Sequence, residues 1–137
     1  RGAVAIETAI VVPVLLLLAL GGFDISRMVS RQHELQSGIG EAEAVALAAN
    51  AGAETDTVKL KAMLQESLGL SADEVAVEKR YRCDAQTTLS AQLDCDEDSV
   101  VSTYLHLVLN DSYSPLWRNF GVGSDLHFEV ERTVQLS

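Results

Sequence analysis

The sequence predicts an α+β fold in which a long N-terminal transmembrane and stalk helix is followed by a short helix and a small three-stranded antiparallel sheet. Three observations predict it. The first is an apolar run from Ala3 to Phe23 in which Glu7 is the only charged residue. The second is helical periodicity in two later segments, and the third is a change to alternating apolar and polar residues after Gly69. Together they predict a globular head, in which one sheet packs on a helix, carried by the long N-terminal helix as a stalk.

The apolar run is long enough to cross a membrane. Its 21 residues reach about 30 Å as a helix, at about 1.5 Å per residue, which matches the hydrocarbon core of a bilayer. A secretory signal peptide has a shorter apolar core, of about 7 to 15 residues, and usually a small-x-small cleavage site. We therefore predict a transmembrane helix over residues 1–23.

Glu7 is the unusual residue of this span. A carboxylate costs about 2.5 to 3.5 kcal/mol at the bilayer centre and less near an interface, so it is usually kept for a partner. We expect that partner to be a positive charge on another chain. A plain membrane anchor is the alternative for the whole segment, and it does not explain why Glu7 stands five residues after Gly2.

The opening residues RGAVAIETAIVVPVLLLL join a glycine, small apolar residues, a glutamate, a proline and a leucine run. This pattern resembles the start of TadE-like proteins, the pseudopilins of tight-adherence (Tad) pilus systems, and it covers the N-terminal third of the chain. The resemblance implies a pilin-like fold and a prepilin peptidase that cuts between Gly2 and Ala3. Glu7 would then be the fifth residue of the mature chain. An uncleaved chain would remain a single-pass membrane protein.

The resemblance also implies a function, which is a structural subunit that assembles into or primes an extracellular pilus-like filament. The alternatives are a permanently anchored accessory subunit of a larger membrane complex and an adhesive or ligand-binding head. The implied partners of the N-terminal helix are pilus or membrane-complex subunits, among them copies of this chain, together with membrane lipid. The implied location is the bacterial inner membrane with the head in the periplasm or outside. Arg1 favours a cytoplasmic N-terminus, whereas Arg27 and Arg31 oppose it.

The helix is predicted to continue past the membrane as a stalk over residues 24–52. An apolar stripe with a 3.5-residue period runs over almost four heptads, through Ile25, Met28, Gln32, Leu35, Ile39, Ala42, Ala46 and Ala49. Its small residues suit close packing between helices. We expect the lower half to face neighbouring chains and the part from about Ile39 to lie under the head; packing on the chain's own domain is the alternative.

Three features are expected to shape this long helix. Pro13 and the Gly21-Gly22 pair should interrupt it, with Pro13 acting as a kink or a local unwinding. Gly52 is predicted to end it as a C-cap.

The head, residues 53–137, is predicted to contain one helix and three strands. The helix runs from Asp56 to Leu68 and is ended by Gly69. Alternation predicts strands over residues 75–83, 101–109 and 126–136, in which Lys79 and Arg132 are the exceptions on the apolar faces.

Cys83 and Cys95 are the only cysteines. In a domain expected outside the cytoplasm, such a pair predicts a disulfide, here one that closes the loop between the first two strands. A loop of this size contributes about 3 kcal/mol by chain entropy. The alternative is a metal site, which would need two further ligands, and His33, His106 and His127 do not have the spacing of such a site.

The acidic loop after the second cysteine invites a calcium interpretation. Asp94, Asp96 and Asp98 occupy the first, third and fifth positions of a calcium loop. However, Ser99 stands at the glycine position and Leu105 at the bidentate glutamate position. A solvated loop is therefore predicted, and weak surface binding of divalent ions is the alternative.

Composition excludes several functional classes. The net charge is −10, and the part from His33 to Ser137 holds 18 acidic and 7 basic residues. Nucleic-acid binding depends on clustered Lys and Arg, so it is excluded. No nucleophile motif, phosphate-binding fingerprint or paired carboxylate pattern supports an enzyme or a cofactor.

An aromatic cluster marks the loop before the last strand. Tyr113, Trp117 and Phe120 lie close together in sequence, beside the turn residues Gly121 and Gly123. Aromatic side chains on a long loop predict a partner surface. The alternative is that they cover the core of the head.

Overall fold

The computed structural model describes residues 2–50, 56–84 and 86–137. The helices and strands, in chain order, are α1 (Gly2–Asn50), α2 (Thr57–Leu68), β1 (Val75–Cys83), β2 (Val101–Tyr113), a 3₁₀ helix (Leu116–Phe120) and β3 (Leu126–Gln135). The predicted α+β fold, with a long helix, a short helix and a three-stranded antiparallel sheet, is confirmed.

Helix α1 is continuous through Pro13 and through Gly21-Gly22. The predicted interruption at these residues is therefore wrong, because an apolar environment offers the backbone no other hydrogen-bond partners and so favours a continuous helix even with one donor lost at proline. A bend at Pro13 stays a prediction. The predicted C-cap at Gly52 lies outside the described residues.

Helix α2 has both of its expected end signals. The carboxylate of Asp56, the N-cap, accepts hydrogen bonds from the backbone N–H groups of Val58 at 3.0 Å and Lys59 at 3.1 Å. The Lys59 backbone hydrogen bond is the largest cause that lowers the pKa of Asp56. Gly69 ends the helix with φ of 65°, a left-handed conformation that costs glycine least.

The sheet has the order β1-β2-β3. Strands β1 and β2 are antiparallel, with Val75 opposite Leu109 and Cys83 opposite Val101. At the other side of β2, the backbone N–H of Leu136 donates to the carbonyl of Thr103 at 2.8 Å. Strand β2 continues four residues past the predicted end at Leu109. Polar residues break the apolar alternation there, but the hydrogen bonds between strands join backbone groups and do not require that alternation.

Cys83 and Cys95 form the predicted disulfide, with Cα atoms 5.5 Å apart. The bond closes part of the segment that connects β1 to β2 and so restricts the unfolded chain. Within the described ranges, no group of three or more acidic, histidine or cysteine side chains could hold a metal ion.

The chain forms two compact units that each combine segments distant in sequence. Unit 1 comprises Arg1–His33 and Ser112–His127, and unit 2 comprises Glu34–Asp111 and Phe128–Ser137. The predicted domain boundaries at residues 23 and 52 stay a prediction.

Unit 2 contains a closed apolar core. Its buried members come from α1, α2, the residues after α2 and all three strands: Leu35, Ile39, Ala42, Ala46, Leu60, Leu64, Leu68, Leu70, Val75, Leu105, Leu107, Leu109 and Val134. A Cβ added at Gly38 would lie 2.8 Å from a side-chain carbon of Leu68, so glycine permits close contact of the two helices. Burial of the stripe begins at Leu35, one turn before the expected position at Ile39.

Candidate functional site

The first half of α1 leaves its apolar side chains uncovered. Among the described residues, α1 is the helix long and apolar enough to cross a membrane, and its most apolar 18-residue window has a mean hydropathy of 2.6 with none of it buried. Leu17 and Leu18, for example, are each 68% exposed. Since so large an apolar surface is unstable in water, it must be covered by lipid or by other chains.

Glu7 lies on this exposed surface, near the start of the helix. The neighbouring Thr8 hydroxyl donates to the carbonyl of Val4 at 2.8 Å and is thus satisfied within α1. The Glu7 carboxylate is exposed and so accessible to a basic group of a second chain. Pairing between subunits at Glu7 stays a prediction.

Gly2 and Ala3, the predicted processing site, form the exposed beginning of α1. A Cβ added at Gly2 would meet nothing within 4 Å, so its backbone is sterically open. Cleavage between these residues stays a prediction.

Asp24 directly follows the apolar run, and its side chain is buried with 1% of its surface exposed. Its Oδ1 accepts a hydrogen bond from the Tyr113 hydroxyl at 2.9 Å, and its Oδ2 accepts one from the Leu116 backbone N–H at 2.8 Å. Both oxygens therefore have a donor, which offsets the cost of burying the charge. Sequence reasoning missed this role; an acidic residue at the end of an apolar span was the available signal.

The Asp24 carboxylate also affects Tyr113 and the start of the 3₁₀ helix. Loss of solvent around the phenol, its hydrogen bond to Asp24 and the negative charge of Asp24 raise the pKa of Tyr113. The phenol is therefore protonated at neutral pH and able to donate. Pro115, which precedes the 3₁₀ helix, makes no side-chain cap, so Asp24 supplies the acceptor for the first N–H of that helix.

The 3₁₀ helix, which we call the aromatic turn (Leu116–Phe120), is also held by its own segment. Gly121 ends it with φ of 75°. A Cβ added at Gly123 would lie 3.0 Å from Nε1 of Trp117, so the indole packs against glycine backbone. Arg118 donates to Asp125 at 2.7 Å, which closes the segment with an ion pair.

The aromatic turn and the end of the apolar run face a common groove of about 100 Å³. The groove is lined by Leu17, Leu20, Gly21, Asp24, Leu116, Trp117 and Phe120. Tyr113 and Trp117 are half-buried, whereas Phe120 is 71% exposed. None of the three aromatic residues is itself a buried member of the described apolar core. Their role as a partner surface stays a prediction.

Comparison with known families identifies the N-terminal part of the chain. Residues 2–42 match the family model described as TadE-like protein. The matched segment holds Gly2, Glu7 and Asp24, and it ends among the buried residues of the stripe. No curated protein and no solved structure matches the chain. The resemblance found in the opening sequence is confirmed, and the family indicates a pilus-related protein of a Tad system.

Proposed function

We propose that this protein, TadE-like over residues 2–42, is a pseudopilin or minor pilin that assembles into or primes a Tad pilus-like filament. One observation carries the proposal. The first half of α1 is an apolar surface that the chain itself leaves uncovered, and this surface bears a single carboxylate at Glu7. A helix of this kind supports association with other helices within the membrane and then within a filament.

The proposed contact is helix against helix. Gly22 is exposed and has open space where a Cβ would stand, so a neighbouring backbone can approach closely there. The Glu7 carboxylate would pair with the positive N-terminus of a neighbour. That charge is the α-amine of Ala3 after cleavage by a prepilin peptidase, and it is Arg1 or a basic group of another subunit without cleavage.

The free energy lost when Glu7 is replaced is expected to be large enough to measure. Removing one partner of an ion pair in a low-dielectric environment costs about 3 to 5 kcal/mol. At about 1.4 kcal/mol per factor of ten, this is at least a hundredfold change in an association constant. A residue that merely tolerates the membrane would show no such dependence.

The test compares Glu7→Gln and Glu7→Val with the matched control Glu97→Gln, which changes an exposed carboxylate of unit 2. Both Glu7 variants should remain in the membrane fraction yet be depleted at least tenfold from co-purified filament or complex, while the control assembles normally. Glu7→Val removes the charged group from the span and should insert at least as well as the wild type. Undiminished assembly of Glu7→Val would instead favour a plain anchor.

Intact mass separates the filament subunit from a permanently anchored accessory subunit. Protein isolated from assembled material should begin at Ala3, because a filament subunit must leave the membrane. Retention of Gly2 in assembled material would favour the anchored subunit.

A further inference from the structure

We propose that the aromatic turn, Leu116–Phe120, is a second membrane contact, which inserts its apolar side chains at the boundary between lipid headgroups and acyl chains. The occupant of this surface is the lipid of the same bilayer that α1 crosses. The inference needs α1 to be inserted in a membrane, and it does not depend on filament assembly.

The position of the turn along α1 carries the inference. The turn shares its groove with Leu17, Leu20 and Gly21, which are residues of the apolar run itself. Leu17 lies six residues before the end of that run at Phe23, which is about 9 Å along the helix axis. If the apolar run fills the hydrocarbon core, the aromatic turn must lie at the same depth as the last two helical turns of that run. Interfacial segments bury their apolar faces to about 5 to 10 Å, which is the same depth.

The side chains of the turn suit that depth. Phe120 is 71% exposed and Leu116 is 40% exposed, and Val122 just beyond the turn is 61% exposed. Leu116 and Phe120 line the same groove as Leu17 and Leu20 of α1, whose uncovered apolar surface already requires a cover. Trp117 has an apolar ring with one polar N–H, a combination enriched at membrane interfaces.

The charges near the turn are arranged for an interface. Arg118 is paired with Asp125 at 2.7 Å, and both oxygens of Asp24 accept hydrogen bonds, so each of these charges has a partner within the unit. The guanidinium of Arg27 lies 5.5 Å from the ring centre of Phe23, one turn beyond the run, where headgroup phosphates would be. Lipid is therefore favoured over a protein surface as the cover.

Trp117 is the only tryptophan in the chain, so the native protein carries its own reporter. Full-length protein is placed in nanodiscs whose phosphatidylcholine and phosphatidylglycerol carry bromine at acyl carbons 6 and 7 or at carbons 11 and 12. Trp117 fluorescence should be quenched at least twofold more by the shallow bromines than by the deep ones. Emission that neither lipid quenches overturns the proposal, and shielding of that emission from acrylamide would assign the surface to protein instead.

A second reporter tests insertion of α1 separately. The double variant Trp117→Phe with Leu15→Trp places the fluorophore within the span, where the deep bromines should quench it more strongly. If this variant is quenched and native Trp117 is not, the membrane contact of the turn is refuted while the span stands. If neither is quenched, the span and the turn contact both fail.

A matched pair of exposed substitutions completes the test. Phe120→Ser should at least halve the shallow-bromine quenching of Trp117 and increase its quenching by acrylamide. The control Val58→Ser changes a side chain that is 75% exposed in unit 2, and it should leave both values unchanged. Equal values for the two variants would contradict a role of Phe120 in lipid contact.

Discussion

The two compact units differ in what they bury. Unit 2 buries aliphatic side chains from two helices and three strands around its own core. Unit 1 buries the carboxylate of Asp24 and leaves leucines, valines and Phe120 exposed. Apolar burial is the dominant favourable contribution to folding, so unit 2 contains its own source of stability. Unit 1 depends instead on specific hydrogen bonds, and on lipid or other chains to cover its apolar surface.

This difference agrees with the two roles proposed for the chain. The uncovered helix of unit 1 serves the membrane and the neighbouring subunits, whereas unit 2 needs neither to complete its core. Substitutions in the buried core of unit 2 should therefore change the stability of the fold, and substitutions in unit 1 should change local order, lipid contact or assembly.

The largest effect is expected from Leu107→Ala, because Leu107 is fully buried in β2. Loss of a buried leucine side chain costs about 2 to 5 kcal/mol in free energy of unfolding. Urea denaturation should show this loss, while membrane insertion stays normal. The control Leu93→Ala changes a leucine that is 61% exposed, and a similar loss there would contradict the distinction between core and surface.

Asp24→Ala should have an intermediate effect that is confined to unit 1. It removes the acceptor for the Tyr113 hydroxyl and the Leu116 N–H, and hydrogen bonds to a charged group contribute about 1.5 to 3 kcal/mol. Trypsin should cut after Arg118 about tenfold faster, with an unchanged urea midpoint for unit 2.

Tyr113→Phe is a milder variant for comparison with Asp24→Ala. It removes one donor and keeps the Leu116 hydrogen bond, so cleavage after Arg118 should increase less than in Asp24→Ala. A lowered urea midpoint of unit 2 in either variant would show that the two units are not stabilised separately.

The smallest effect is expected at the N-cap of α2. Asp56→Ala should lower the Tm by a few degrees, since it leaves the Val58 and Lys59 N–H groups without their acceptor. Asp56→Asn should keep most of the stability at neutral pH because asparagine also caps helices well.

The pH dependence of this cap has a definite sign. The pKa of Asp56 is lowered in the fold, so its charged form adds stability above the ordinary value of 3.8 and loses it as the pH falls through the folded value. The Tm difference between wild type and Asp56→Asn should therefore shrink in acid. A constant difference down to pH 2 would show that the carboxylate charge is unimportant.

Local sequence signals were sufficient for much of the fold. Asp56 and Gly69 marked the ends of α2 because capping depends on residues within one turn. Alternation located β1 to its exact ends, and the two cysteines implied their bond. The apolar run with Glu7 indicated the TadE-like segment, which the family match confirms. These features are determined by neighbours in sequence or by composition, so they can be recognised without coordinates.

Only the tertiary structure revealed the environment of Asp24. Its donors, Tyr113 and Leu116, are 89 and 92 residues away in sequence, and no periodicity connects such positions. The same holds for the position of the aromatic turn beside Leu17 and Leu20, and for the close contact of Gly38 with Leu68. The sequence by itself determined which surfaces are apolar and where α2 and β1 begin and end. Which of these surfaces the chain buries, and which it leaves to lipid or partners, depended on long-range packing, because burial is a property of the folded chain as a whole.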